Sequence, residues 1–203
     1  TMLKVGDVDT CSLATEALAM IGSDSIKSLI YIMKYNADTR CYAIDALVNI
    51  GSESVEPLIE VLKENNAIVR KYASQALGRI GDSRAVIPLI EVLKNKDYSI
   101  RRFAAQALYQ IGGDVLDIPP ALQVEYYIAL EKWNHVAEMG DISIEPLINI
   151  LKVEDAEIRK SVTETLGKIG DSRAVIPLID MLKDKNASVR KLAAQALGLI
   201  GEP

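Results

Sequence analysis

One histidine, one tryptophan, one phenylalanine and two cysteines are all that 203 residues contain of these types. Each scarcity removes a chemistry. The single histidine, His135, is followed by Val136, so there is no His-Glu pair from which to assemble a multi-histidine metal centre. Cys11 and Cys41 stand thirty residues apart and form no close ligand pair, which argues against zinc. They read as two reduced thiols of a cytoplasmic protein, on neighbouring units that could bring them near each other. No Gly-rich phosphate loop occurs, and no cofactor or metal is expected. There is no run of eighteen apolar residues and no signal-peptide pattern, so neither a membrane span nor export is expected. An excess of basic charge is also missing. Lys and Arg number 23 against 28 Asp and Glu, a net charge of −5, which weighs against a nucleic-acid backbone as partner.

What the chain does have is a period. Glycine follows Ile or Met at Gly22, Gly51, Gly81, Gly112, Gly140, Gly170 and Gly201, at spacings of 29, 30, 31, 28, 30 and 31 residues. Self-similarity on this scale means one supersecondary unit stacking on the next. In the unit from Gly81 to Gly112, Val86, Leu89, Ile90 and Leu93 fall at i, i+3, i+4 and i+7, one face of a first helix, A. The face returns as Ile26, Leu29, Ile30, Met33; as Val55, Leu58, Ile59, Leu62; as Ile144, Leu147, Ile148, Leu151; and as Val175, Leu178, Ile179, Leu182. Pro57, Pro88, Pro146 and Pro177 share one repeat position in its first turns. Fifteen residues before each glycine stand Asp7, Asn36, Asn66, Asp97, Glu125, Asp155 and Asn186, six of them good N-caps for a second helix, B. Leucine or valine recurs four residues before the glycine, and alanine mostly five before it, where a small side chain lets helices approach. The glycine itself should stop helix B in a left-handed conformation.

The segments Gly-Asp-Ser-Arg-Ala-Val-Ile-Pro-Leu-Ile at 81–90 and 170–179, followed by Ile/Val-Arg-Arg/Lys and Ala-Leu, resemble the HEAT-like repeats named after the phycobilisome lyases. The resemblance covers nearly the whole chain. It implies an all-α fold, a right-handed α-solenoid (α-α superhelix) of about six HEAT-like helical-hairpin repeats with one irregular joint. It implies a single domain, 1–203, with an N-terminal stack at 1–112, the joint at 113–140 and a C-terminal stack at 141–203. Repeats of this type serve many roles. Deoxyhypusine hydroxylase shares the fold but needs several His-Glu motifs for two irons, which one histidine cannot supply. A subunit of a bilin-lyase-like enzyme complex remains the alternative to a non-enzymatic scaffold or regulatory module.

Residues 113–139 break the pattern. Gly113 to Pro120 replace the A-helix signature, and one helical run from about Ala121 to Met139 carries the apolar face Tyr126, Ala129, Leu130, Trp133, Val136 and Ala137. Trp133 is expected to pack in this joint, with His135 exposed or locally hydrogen-bonded. Arg40, Arg70, Arg101, Arg159 and Arg190 recur eleven residues before the glycine. They are read as structural, bonding carbonyls or acids of the adjacent unit, with Asp82, Asp141 and Asp171 as partners, rather than as an anion site.

In repeats of this kind helix B lines the concave face. Ten and nine residues before the glycine stand Cys41-Tyr42, Lys71-Tyr72, Arg102-Phe103, Lys160-Ser161 and Lys191-Leu192. Tyr42, Tyr72 and Phe103 make an aromatic row on three successive units. Lys71, Arg102, Lys160 and Lys191 make a cationic row beside it, and Gln75 and Gln106 lie three residues further on. Aromatic and cationic side chains together suit a protein or peptide partner, and the cations favour an acidic one. The same rings could instead fill gaps between B helices. Neither the lone B helix at Asp7–Ile21 nor the stop at Gly201-Glu202-Pro203 carries a polar cap, which points to a longer array or to self-association through the uncapped ends.

Overall fold

The computed structural model describes residues 8–112 and 117–201, with side chains from Leu13 onward except Thr15. Among these residues there are helices and turns and no strand. The N-cap expected at Asp7 and the side chain of Cys11 lie outside the described residues. Cys41 is an exposed free thiol.

The chain divides into two compact units, Thr1–Asp117 and Ile118–Pro203. In the first, α1 (Val8–Ile21) precedes three hairpins: α2 (Ile26–Tyr35) with α3 (Arg40–Ile50), α4 (Val55–Leu62) with α5 (Ala67–Ile80), and α6 (Val86–Val92) with α7 (Tyr98–Gly112). The B helices stack in order, α1 on α3, α3 on α5 and α5 on α7. The expected A-helix face forms the core. Leu29, Met33, Leu58 and Leu89 are fully buried and meet Leu47, Leu77 and Leu108 from the B helices. Burying such a side chain contributes about 1.5–3 kcal/mol, which a lone hairpin could not collect.

The second unit holds α8 (Pro120–Ala129), α9 (Trp133–Glu138), and the hairpins α10 (Ile144–Ile150) with α11 (Ala156–Ile169) and α12 (Val175–Met181) with α13 (Ala187–Gly201). Here α9 packs on α11 and α11 on α13. Ile144, Leu147, Leu166 and Leu178 are buried, but Ile179 and Leu182 stay 44% and 39% exposed, because no further described helix covers α12.

Asn66 and Asp155 cap α5 and α11 by accepting N–H bonds from Ile68 and Val69 and from Glu157. Asp97 and Asn186 do the same for Ser99 and Ser188, each at 2.8 Å. Asn36 departs from expectation: an extra turn intervenes, α3 starts at Arg40, and Asn36 Oδ1 accepts instead from the Thr39 N–H. The glycine stop is also narrower than the sequence suggests. Positive φ occurs at Gly22, Gly51, Gly81, Gly140 and Gly170, each followed by a 3-10 turn into helix A. Gly112 and Gly201 are the last helical residues of α7 and α13 and have no such turn after them among the described residues.

The single helix expected from 121 to 139 is two helices. At the end of α8 the Glu131 N–H bonds the Ile128 carbonyl at 3.0 Å and the Lys132 N–H bonds the Tyr127 carbonyl at 2.9 Å. This is a Schellman closure with Glu131 at the left-handed position, φ 59°. Val136 of α9 is fully buried, Trp133 is half-buried, and the exposed His135 ring stacks on Tyr127 at 5.2 Å between centroids.

Candidate helix-B interaction face

The three rings sit on three successive B helices of the first unit, Tyr42 on α3, Tyr72 on α5 and Phe103 on α7, and each is half-buried. Cations join them. Lys71 Nζ lies 4.5 Å from the Phe103 ring centroid on the next helix and 5.3 Å from that of Tyr72. Arg40 Cζ, reaching from α3, lies 4.8 Å from the Tyr72 centroid. A cation on a ring face is worth about 0.5–1 kcal/mol at a semi-exposed site. The ring therefore helps stitch one B helix to the next while leaving an edge to solvent. Gln75 and Gln106, one turn further along, are exposed, and Arg102 is half-buried. A second stitch that the sequence did not reveal is the ion pair from Arg79 of α5 to Asp45 of α3, at 2.7 Å.

In the second unit, Lys160 is half-buried and pairs with Glu157 at 2.6 Å, and Lys191 is exposed on α13. They continue the repeat position of Lys71 and Arg102, but on helices whose neighbouring residues are Ser161 and Leu192 rather than aromatic.

The recurring arginines are structural, with different partners from those expected. Each reaches back to carbonyls at the end of helix A of its own hairpin: Arg40 to Met33, Arg70 to Glu64, Arg101 to Asn95, Arg159 to Val153 and Arg190 to Asp184, at 2.7–2.8 Å. Arg159 alone adds an acid from the next hairpin. It grips Asp184 with Nε–Oδ2 at 2.7 Å and Nη2–Oδ1 at 3.0 Å, and both side chains are buried. That hydrogen bond holds the Asp184 carboxyl below the usual carboxylate range, against the opposing effect of burial. Asp82 and Asp171 are claimed two residues on. Arg84 and Arg173 bond them through side chain and backbone, which draws both carboxyls down to about 2. The same guanidinium groups reach the preceding unit, Arg84 to the Ser52 carbonyl at 2.8 Å and Arg173 to that of Asp141 at 3.2 Å. Asp141 thus offers its carbonyl, not its carboxylate.

A shallow groove of about 470 Å³ lies on the A-helix side of the first unit, where exposed Tyr31 and Tyr35 tilt against each other at 4.9 Å beside Pro57 and Glu60. Among the described residues no group of three His, Cys, Asp or Glu is placed to hold a metal, and no helix is long and apolar enough to cross a membrane.

Among solved structures, human deoxyhypusine hydroxylase in complex with glycerol is similar over 94% of this chain and 88% of that one, at 20% identity and a TM-score of 0.45. The CpcE–CpcF complex of phycocyanin lyase from Nostoc sp. PCC7120 is similar over 85% and 98%, at 25% identity and 0.43. A designed armadillo repeat protein in complex with the peptide (KR)4 is similar over 98% and 97%, at 17% identity and 0.37. No curated protein matches the sequence. The HEAT repeats family matches residues 26–109, 55–124 and 144–203. With its stacked A/B hairpins and glycine-stopped B helices, the chain belongs to the HEAT-repeat family and has an α-solenoid fold.

Proposed function

We propose that this chain is a non-enzymatic interaction module, a scaffold or regulatory part, that holds a protein or peptide segment on its helix-B face. The observation that carries this reading is the row of half-exposed rings on α3, α5 and α7 with Arg40 and Lys71 seated between them. The pre-placed cations favour an acidic segment, and binding should weaken with salt. Gln75 and Gln106 stand ready beside the rings as amide donors and acceptors. Lys160 and Lys191 offer further positive charge on the second unit.

The test is selection from a random peptide library, using the wild-type chain and the variant Tyr42→Ala/Tyr72→Ala/Phe103→Ala. Wild type should enrich acidic sequences, and the variant should lose them while keeping its helical circular dichroism. Unfolding of the variant would make the rings core. A folded variant that retains the same peptides would move the site elsewhere.

Self-association through the terminal helices belongs to the same proposal, supported by the exposure of Leu199, Ala194 and Gly198 on α13. Membership of a bilin-lyase-like complex is the second reading, on the strength of the Gly-Asp-Ser-Arg turns. It predicts that the chain, mixed with a bilin and an apo-phycobiliprotein, changes the pigment's absorption.

A further inference from the structure

Helices α13 and α1 carry the two halves of a contact that the chain already makes within itself. Inside each unit, a B helix shows the next one a pair of small residues, seven and three before the glycine: Ser74 and Gly78 on α5, Thr163 and Gly167 on α11, all buried. The following helix presses an alanine into that notch. A Cβ added to Gly78 would fall 2.7 Å from Ala107 Cα, and one added to Gly167 would fall 2.8 Å from Ala196 Cα. Helix α13 repeats the pair as Ala194 and Gly198, but both are exposed, and a Cβ at Gly198 would meet nothing within 4 Å. Helix α1 repeats the alanine. Ala17 is exposed, whereas Ala46, Ala76, Ala107 and Ala196 at the same position are at most 2% exposed.

We infer that α13 receives α1 of a second copy, the Gly198 notch taking Ala17, so that chains join head to tail through the contact that joins α5 to α7. The inference rests on the self-association reading and gives it a register. Charge selects the pairing. Helix α13, ASVRKLAAQALGLIG, has two basic residues and no acid, while α1, VDTCSLATEALAMI, has two acids and no base. Two α13 faces would repel, as would two α1 faces, and only the mixed pair is complementary. The ring position agrees as well. Arg190 and Lys191 occupy the places from which Arg40 and Lys71 reach the residue nine before the next glycine, and in α1 that residue is Leu13, 66% exposed. Because the two surfaces differ, the contact is heterologous and leaves a free face at each end of any open assembly.

The test uses the full chain in sedimentation experiments from micromolar to millimolar concentration. Wild type should grow with concentration beyond a dimer. Ala17→Arg and Gly198→Arg, both at open helical sites, should keep their helical circular dichroism and remain monomeric alone. Mixed in equal amounts they should form a dimer that grows no further, because one intact α1 meets one intact α13. A wild-type chain that is monomeric throughout would overturn self-association itself. A wild-type chain that associates, with Ala17→Arg still associating alone or with the mixture staying monomeric, would overturn the head-to-tail register and leave self-association standing.

Discussion

Gly78, Gly167 and Gly198 occupy one repeat position, yet replacing each by alanine should not have one sign. In a helix interior alanine is better than glycine by about 1 kcal/mol, because glycine surrenders more backbone freedom on folding. An uncrowded site should show that gain undiminished. Gly198 is such a site, with nothing within 4 Å of the added carbon, so Gly198→Ala should stabilise the dilute monomer by about 1 kcal/mol. At Gly167 the added carbon falls 2.7 Å from Ala196 Cβ and 2.8 Å from its Cα. Carbon atoms rest about 3.5–4.0 Å apart, so two helix backbones must separate by roughly 1 Å. Overpacking of this kind costs about 1–3 kcal/mol and outweighs the propensity gain. Gly167→Ala should therefore come out destabilising by about 1 kcal/mol, and Gly78→Ala, with Ala107 Cα at 2.7 Å, likewise. Urea titrations followed by far-UV circular dichroism measure all three. Gly167 and Gly198 make the cleanest comparison, because they lie in the same unit. If Gly167→Ala stabilises as much as Gly198→Ala, the B helices do not approach as closely as described.

Three further outcomes follow from particular groups. Asp184→Asn removes one partner of a buried pair and should cost about 3 kcal/mol near neutral pH. Since the folded carboxyl titrates below its unfolded value, the gap between wild type and variant should be full above about pH 4 and close as pH falls through the folded value, as read from urea midpoints across pH. Glu131→Asn should raise the melting temperature of the second unit, because a non-glycine residue in the left-handed region costs about 1–2 kcal/mol and asparagine adopts it more readily; an unchanged or lower value would refute strain there. Asn95→Asp should install in the first unit the pair that Asp184 makes in the second. Asn95 and Asp184 each accept the N–H of the next cap, and Arg70 Nε is buried without a hydrogen-bond partner, so a gain of about 1 kcal/mol in a thermal melt is expected.

The A-helix faces were legible because four apolar residues at helical spacing can be buried together in only one way, and Leu29, Leu58, Leu89, Leu147 and Leu178 are all buried. The glycine stops were legible where a turn into helix A follows. The break after α8 was not, because its left-handed residue is a glutamate, with no glycine or asparagine to mark it, and the apolar face reads straight across it. The partners of the arginines were hidden for a related reason. Sequence spacing places Arg84 and Asp82 two residues apart, which is not a helical pairing, and only the 3-10 turn brings them together. Of the aromatic row, the sequence showed which helices carry the rings, but not that Lys71 of one helix lies over Phe103 of the next, since that depends on helix spacing. The role of the glycine three before the stop was missed too: closeness was ascribed to Ala107 and Ala196 alone, when each needs Gly78 or Gly167 opposite.

That glycine has a mechanical consequence. Where it is present, backbones touch nearly directly, and few side-chain rotors lie between them to take up a displacement. Where it is replaced, as by half-buried Val48 on α3, a branched side chain fills the gap, and α3 meets α5 less extensively than α5 meets α7. Stiffness along the first unit is therefore uneven. Under bending, α5 and α7 move as one plate, and the seam between α3 and α5 behaves as the softer joint, held mainly by Arg79–Asp45 and by Arg40 on Tyr72. The residue three before each glycine thus sets a local elastic constant, and a chain of such units can be tuned, seam by seam, for where it yields.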